Sequence, residues 1–331
     1  MEPDEFLAVR DLLRSFVAQF RTDSADPDPA ARVAAQQALG KLGLAELRRT
    51  SPPAATAQEC ALLAEEHGRH PMTTSFVGTA LLAPELLRLL GDDERPDSGT
   101  TPTIALARDL RFPGPDISSP SDPSDLIAWD CDGADGALCV TADGTVTALE
   151  LGSDAPGADL GRAIRTIGPE PAPKHLGRLD PSQLAQWQAF ALVMVSSELL
   201  GAARSLVQQS VDYARERRQY GQPIGSFQAV QHLLADATVL VEACTSATRY
   251  AAWCLDHQSP TQGLKAARVA KAEANASLPE AIRNAMQVFG GIAQTWEFPA
   301  HLYLRKILVG TMTLATNAEL LAALAEPEGA S

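Results

Sequence analysis

The chain has 331 residues, a formal charge of −14, and 45% hydrophobic residues of which few are aromatic. It is long enough for two or three domains or one sizeable core, and apolar enough to fold. The acidic balance argues against a nucleic-acid partner, because phosphate binding needs a basic face.

Five dispersed cysteines with no C-x-x-C spacing predict reduced thiols and neither a disulfide framework nor a zinc site. H-E-x-x-H is absent, so no metal is expected. The N-terminus lacks a basic segment followed by an apolar one, and no apolar run is read as long enough to cross a bilayer. The expectation is a soluble cytoplasmic protein without a membrane partner.

Residues 4–90 read as helices. Phe6, Val9, Leu12, Leu13, Phe16, Val17 and Phe20 recur at three- and four-residue spacing and form one apolar stripe. A Pro/Asp-rich break at 23–29 precedes a second helix over 30–42, closed by Gly43. A third is expected over 56–67 with Gly68 as its cap, and a fourth over 73–90, stopping at Gly91. Gly, Pro, Asp and Ser crowd into 91–102 and 113–125. Short apolar runs at 103–107, 125–129, 136–140 and 145–149 predict strands, with Asp143-Gly144 as a tight turn. The Pro/Gly-rich stretch at 168–174 reads as the exit from this β region. From Asp180-Pro181-Ser182 four helices follow, over about 181–218, 225–257, 261–290 and 298–325. Long amphipathic helices with short loops describe a four-helix bundle, and the tail at 326–331 reads as frayed. The predicted class is mainly α with a small β domain (α+β). Its divisions are a helical domain at 1–102, a reduced β domain at 103–179 and the bundle at 180–331.

Two segments carry chemistry. Residues 217–228 read R-R-Q-Y-G-Q-P-I-G-S-F-Q. Arg217 is a natural bidentate partner for phosphate oxygens. Tyr220 offers a ring for a base, and Phe227-Gln228 open a helix whose free N–H groups favour an anion. The bland alternative is an ordinary helical connection with a solvated arginine pair. The second segment is Gln287-Val-Phe-Gly-Gly-Ile-Ala293, in which a glycine pair allows close backbone approach or simply ends a helix. It is followed by the tract from Trp296 to Arg305.

Together, Y-A-R-E-R-R-Q-Y-G-Q-P-I-G-S-F-Q and Q-V-F-G-G-I-A-Q-T-W-E-F-P-A-H-L-Y-L-R resemble the acyl-CoA dehydrogenase family. The T-W-E-x-P-A-H-L-Y-L-R form is similar to the actinobacterial branch that handles steroid side chains and other bulky acyl-CoAs. The resemblance is strong over 180–325, fair over 1–90 and weak over the β region. It implies a helical domain, a β domain and a bundle around FAD, with no metal. It also implies that Arg217, Tyr220, Phe227 and Gln228 meet the pyrophosphate and adenine from one direction, and Gln287, Gly290 and Gly291 from another. Thr316 falls on a further cofactor-binding position, and the electron acceptor would be an electron-transfer flavoprotein.

The resemblance breaks at the base that must reach the substrate α-carbon. Counted on from Arg305, the family's Y-E-G-T tract falls on Thr313-Leu314-Ala315-Thr316, which puts Leu314 in the base position. The alternative base position, on the first bundle helix, is Ala191. Glu198 lies on the same face as Ala191 about 10 Å further along and is a weak substitute, or else a structural carboxylate. The T-E-P-x-x-G-S-D tract that covers the flavin ring in the family corresponds to Ala105-Leu-Ala-Arg-Asp109 here. The leading expectation is therefore the non-catalytic β-type subunit of an α2β2 heterotetramer. Such a chain completes a partner's FAD site while the homologous partner binds the acyl-CoA. Open alternatives are a self-sufficient flavoenzyme with a relocated base, and a flavin-free protein of the same fold.

Overall fold

The computed structural model describes residues 3–91, 101–113, 125–168 and 174–326. Most of the two Gly/Pro/Ser-rich stretches, the heart of the 168–174 exit and the tail after 326 lie outside the described residues.

The chain opens with α1 (Pro3–Phe20), α2 (Pro29–Gly40), the short α3 (Glu46–Arg49) and α4 (Ala57–Gly68). Phe6, Leu13, Phe16 and Val17 of the predicted stripe are buried, while Leu12 turns outward. Thr56 and Glu59 form a capping box at the start of α4. The Asp256 carboxylate, far away in sequence, takes the Ala57 and Gln58 N–H groups as well. Four orphan donors at a helix start explain both devices.

The expected helix over 73–90 begins later and in another form. Val77–Leu82 is a π-helical turn leading into α5 (Ala83–Leu90). Pro84 has no N–H to return to Ala80, and the Ala83 N–H reaches back five residues to Gly78. Gly78 is tight against the sheet: a Cβ there would sit 2.5 Å from Thr103 Oγ1.

Seven strands form one mixed sheet: β1 (Pro102–Ala107), β2 (Leu126–Trp129), β3 (Gly136–Val140), β4 (Thr145–Leu149), β5 (Leu151–Asp154), β6 (Ile164–Ile167) and β7 (Lys174–Arg178), in the order β5-β6-β2-β1-β3-β4-β7. Among the described strands of this sheet, only the β1–β3 pair is parallel. Ile104 and Leu106 join the main core, whereas Ala105 joins a second, smaller one. That alternation is the period of two of a sheet buried on both faces. Strands β5, β6 and β7 lie outside the apolar runs of the sequence and are largely half-exposed.

The bundle is built from α6 (Pro181–Glu216), α7 (Gln228–His257), α8 (Pro260–Phe289), α9 (Ala300–Gly310) and α10 (Asn317–Ala325). Asp180 and Gln183 box the start of α6, with Pro181 behind the cap. By length and hydropathy α6 could cross a membrane, contrary to the sequence expectation. Its apolar window is 89% buried inside the fold, as in a core helix. Close approach of α4 and α6 rests on Gly68 and Gly201, where a Cβ would lie 2.1 Å from Glu198 O and 2.0 Å from Glu65 O. The predicted fourth helix is two. Thr316 and Glu319 form a capping box that restarts the chain as α10, and Leu314, just before it, has φ 71°.

Candidate functional site

The 217–228 loop is a small ribbon. Arg217 ends α6, its N–H bonded to Tyr213 O, and β8 (Arg218–Gln219) pairs with β9 (Gln222–Pro223). The turn residues Tyr220 and Gly221 have φ of 53° and 81°, as a two-residue hairpin with right-handed twist requires. Tyr220 is 93% exposed and meets Phe227 edge-on at 6.2 Å. Gln228 is exposed, and no side chain caps the α7 N-terminus. The Arg217 and Arg218 side chains have no ion-pair or hydrogen-bond partner among the described residues.

Because α6 and α8 run parallel, their C-termini meet at one end of the bundle. Tyr213 packs on Phe289 at 5.2 Å and Phe289 on Phe298 at 4.9 Å. At this end Gly290 turns the chain with φ 68°, and a cleft of about 460 Å³ is lined by Arg283, Gln287, Gly290, Gly291, Gln294 and Leu304. The structure thus gathers Gln287, Gly290 and Gly291 into one cleft and sets the arginine ribbon at the same bundle end.

Thr316 is elsewhere. Ala315 O accepts from Asn275 Nδ2, which places it roughly 20 Å back along α8 from Gly290. The Thr316 hydroxyl is engaged with Glu319, donating to Oε2 at 2.7 Å.

The two residues on which the resemblance places a base, Leu314 and Ala191, are apolar and closed. Leu314 is 1% exposed and Ala191 is fully buried. Leu314 N–H donates to Leu110 O at 2.8 Å, and Phe112 N–H donates to Leu314 O at 3.1 Å. The segment after the Ala105–Asp109 tract is therefore hooked directly onto Leu314. Arg111 reinforces the hook through Glu319 at 2.8 Å, and Phe112 packs on Trp187 at 5.6 Å. Beside the hook lies a cleft of about 230 Å³ lined by Leu192, Leu264, Arg268, Leu314 and Leu320, among others. That is below the usual size of a small-molecule pocket. Its carboxylate, Glu319, is held below its ordinary range: burial pushes it up, but hydrogen bonds from Thr316 and Arg111 outweigh burial.

Glu198 sits in a buried ion cluster where helices and sheet join, and it is 1% exposed. Oε2 takes Arg162 at 2.5 Å and Oε1 takes Lys306 Nζ at 3.1 Å, with His67 Nδ1 at 3.4 Å. Arg162 also binds Asp130 at 2.8 Å and Asp159 at 3.5 Å, and stacks over Trp129. Burial alone would raise the Glu198 carboxyl, but Arg162, Lys306 and His67 hold it well below the carboxylate range. Burial pushes the His67 ring down despite Glu198. A carboxylate so paired is a poor proton acceptor. The partners that fix its role, Arg162 and Lys306, escaped the sequence reading because they lie on β-region and bundle segments remote from α6.

The residues present fit one end of FAD and not the other. Uncommitted guanidinium groups and an open glycine backbone suit a pyrophosphate and adenine. At the ring end, by contrast, the sheet segment and the bundle are joined by direct hydrogen bonds.

Comparison with known proteins places the chain. A family model described as "Acyl-CoA dehydrogenase, C-terminal domain" matches residues 190–326. Acyl-CoA dehydrogenase IpdE2 of Mycobacterium tuberculosis is 36% identical over 131 residues, 40% of this chain and 39% of that protein. The match thus spans well under half of that relative's length. Acyl-CoA dehydrogenase IpdE2 of Mycolicibacterium smegmatis is 28% identical over 317 residues, 90% of this chain and 91% of that protein. The ChsE4–ChsE5 complex from Mycobacterium tuberculosis shares the fold, with TM-score 0.75 and 17% identity over 98% of this chain and 97% of that one. Residues 190–326 thus belong to the acyl-CoA dehydrogenase C-terminal domain family, and the chain as a whole shares the fold of that complex.

Proposed function

We propose that the chain is the non-catalytic, β-type subunit of a heteromeric FAD-dependent acyl-CoA dehydrogenase, completing the flavin site of a homologous catalytic partner. The observation that carries this reading is an asymmetry. Arg217 and Arg218, which reach outward to a nucleotide, are exposed and without ion-pair or hydrogen-bond partners among the described residues. The groups that would serve the chain's own ring and substrate are replaced by Leu314, Ala191 and the Leu110–Phe112 hook.

In the assembly, bound FAD would accept the β-hydride of a bulky acyl-CoA, a steroid side chain being the class that the T-W-E-F-P-A-H-L-Y-L-R tract suggests. This chain's residues bind and orient: Arg217 and Arg218 neutralise pyrophosphate charge, and the Gly290–Gly291 backbone admits the nucleotide closely. Base and acyl-CoA belong to the partner in an α2β2 assembly, and an electron-transfer flavoprotein takes the electrons. Five buried free cysteines suit a reducing cytoplasm. That one structural neighbour is by name a complex of two proteins supports the heteromeric reading.

The test is co-expression with a homologue that retains the base. The two chains are expected to co-purify and to reduce a dye with acyl-CoA, while this chain alone does not. Leu314→Glu, which restores a carboxylate at the base position, is expected to leave the isolated chain inactive because the hook still closes the ring end. Dye reduction by that variant alone, or failure of the pair to co-purify, would sink the reading.

A further inference from the structure

The indole of Trp296 stands at the surface just beyond the glycine pair. Its ring is 58% exposed yet fixed in place. His301 stacks on it at 4.7 Å with planes 14° apart, and His301 Nε2 lies 3.3 Å from Trp296 O. The Arg305 guanidinium is 5.9 Å from the ring centre and is itself anchored on Ala158 O. Tyr220, the ring the sequence suggested for adenine, lacks such support: it stands at a turn tip with only an edge contact to Phe227. A ring already held in place loses little freedom when a base stacks on it.

In sequence Trp296 follows Gln294 by two residues and precedes Leu304, both of which line the glycine cleft. Gly291 has no left-handed φ, and a Cβ there would meet nothing within 4 Å. The chain's own packing therefore does not require glycine at 291, whereas a ligand lying against the backbone would. Trp296 thus offers a π-face, Arg305 a cation over the ring, and the cleft room for phosphate.

We propose that Trp296, backed by His301 and flanked by Arg305, is the stacking platform for an adenine nucleotide whose phosphates face the Gly290–Gly291 cleft. The proposal rests on the adenine-end reading above. An adenosine diphosphate is common to FAD and coenzyme A, and the platform would take either.

The test uses the full chain with ADP, FAD and coenzyme A titrated separately, followed by equilibrium dialysis and tryptophan fluorescence. Trp129 and Trp187 are buried, so a Trp253→Phe background leaves Trp296 as the exposed reporter. ADP is expected to quench it. Trp296→Ala is expected to weaken ADP binding by roughly tenfold or more, the scale of base–aromatic stacking, and Trp296→Phe to retain binding within a few-fold. Because the ring is mostly exposed, the melting temperature should not move. Should Trp296→Ala lower it, Trp296→Phe together with His301→Ala, which frees the ring without removing it, decides the matter: binding kept in the first and weakened in the second supports the platform. Tighter binding of FAD than coenzyme A assigns the site to the flavin, the reverse order assigns it to the thioester carrier, and both support the platform. Absence of ADP binding by the wild-type chain overturns it. ADP binding lost in Arg217→Ala but unchanged in Trp296→Ala also overturns it, while leaving the flavin-site reading intact.

Discussion

Lys271 is fully buried on α8, with only neutral acceptors: Asn275 Oδ1 at 2.5 Å and Gly310 O at 2.8 Å. Burial pulls its ammonium from the ordinary 10.5 down to about 7. The fold thus favours the neutral amine, whereas the unfolded chain keeps its proton until near 10.5. Between pH 7 and 10.5 the unfolded state binds more protons, so stability rises with pH across that window. Below 7 both states are charged and the full penalty is felt, about 5 kcal/mol at about 1.4 kcal/mol per pH unit. Lys271→Met removes this dependence. It also forfeits two hydrogen bonds, a pH-independent loss of about 1–3 kcal/mol each. The stability of Lys271→Met relative to wild type is therefore expected to fall by about 2.5 kcal/mol between pH 6 and pH 9, read from urea denaturation at each pH. A difference that stays flat over that range would refute the reasoning. The residue matters to the site because Lys271 and Asn275 together brace Gly310 and Ala315, the segment that holds Leu314.

The ion cluster around Glu198 gives a second test. Arg162→Met leaves Glu198 with Lys306 and His67 and takes the arginine from Asp130 and Asp159, and should cost about 3–5 kcal/mol. The double variant with Glu198→Met should recover part of the loss, and a single-variant cost under about 1 kcal/mol in urea would contradict the clasp. At the α4–α6 contact, Gly201→Ala places a Cβ 2.0 Å from a backbone carbonyl, so a loss of about 3 kcal/mol or more is expected. A melting temperature equal to wild type would show that the helices are not held so closely.

Much of this architecture was legible because period and punctuation agreed. Phe6 to Phe20 announced α1, Asp180-Pro181 the start of α6, and Asp143-Gly144 the β3–β4 turn, where Gly144 adopts φ 87°. Strands β5 to β7 were not legible: they are short, polar and half-exposed, and are defined by neighbours rather than by their own pattern. The split of the fourth bundle helix has a signal in the sequence. Thr316-Asn317-Ala318-Glu319 is a capping box in sequence, but the apolar residues on either side read as one stripe. At the site, Arg217, Tyr220, Gly290 and Gly291 could be picked out by chemistry. The fate of Glu198 could not, because its partners come from three distant segments that only the fold brings together. Leu314 was identifiable as a wrong residue for a base. That its backbone is the anchor of the Leu110–Phe112 hook is a tertiary fact.

The central claim is that this chain contributes half of a flavin site and holds no ring of its own. It is tested most directly by the flavin-to-protein ratio of the complex co-purified with a base-bearing homologue. One FAD for every two chains is expected, with the isolated chain, as purified and before any flavin is added, colourless. One FAD per chain, or a yellow isolated chain that reduces dye with acyl-CoA, would contradict it.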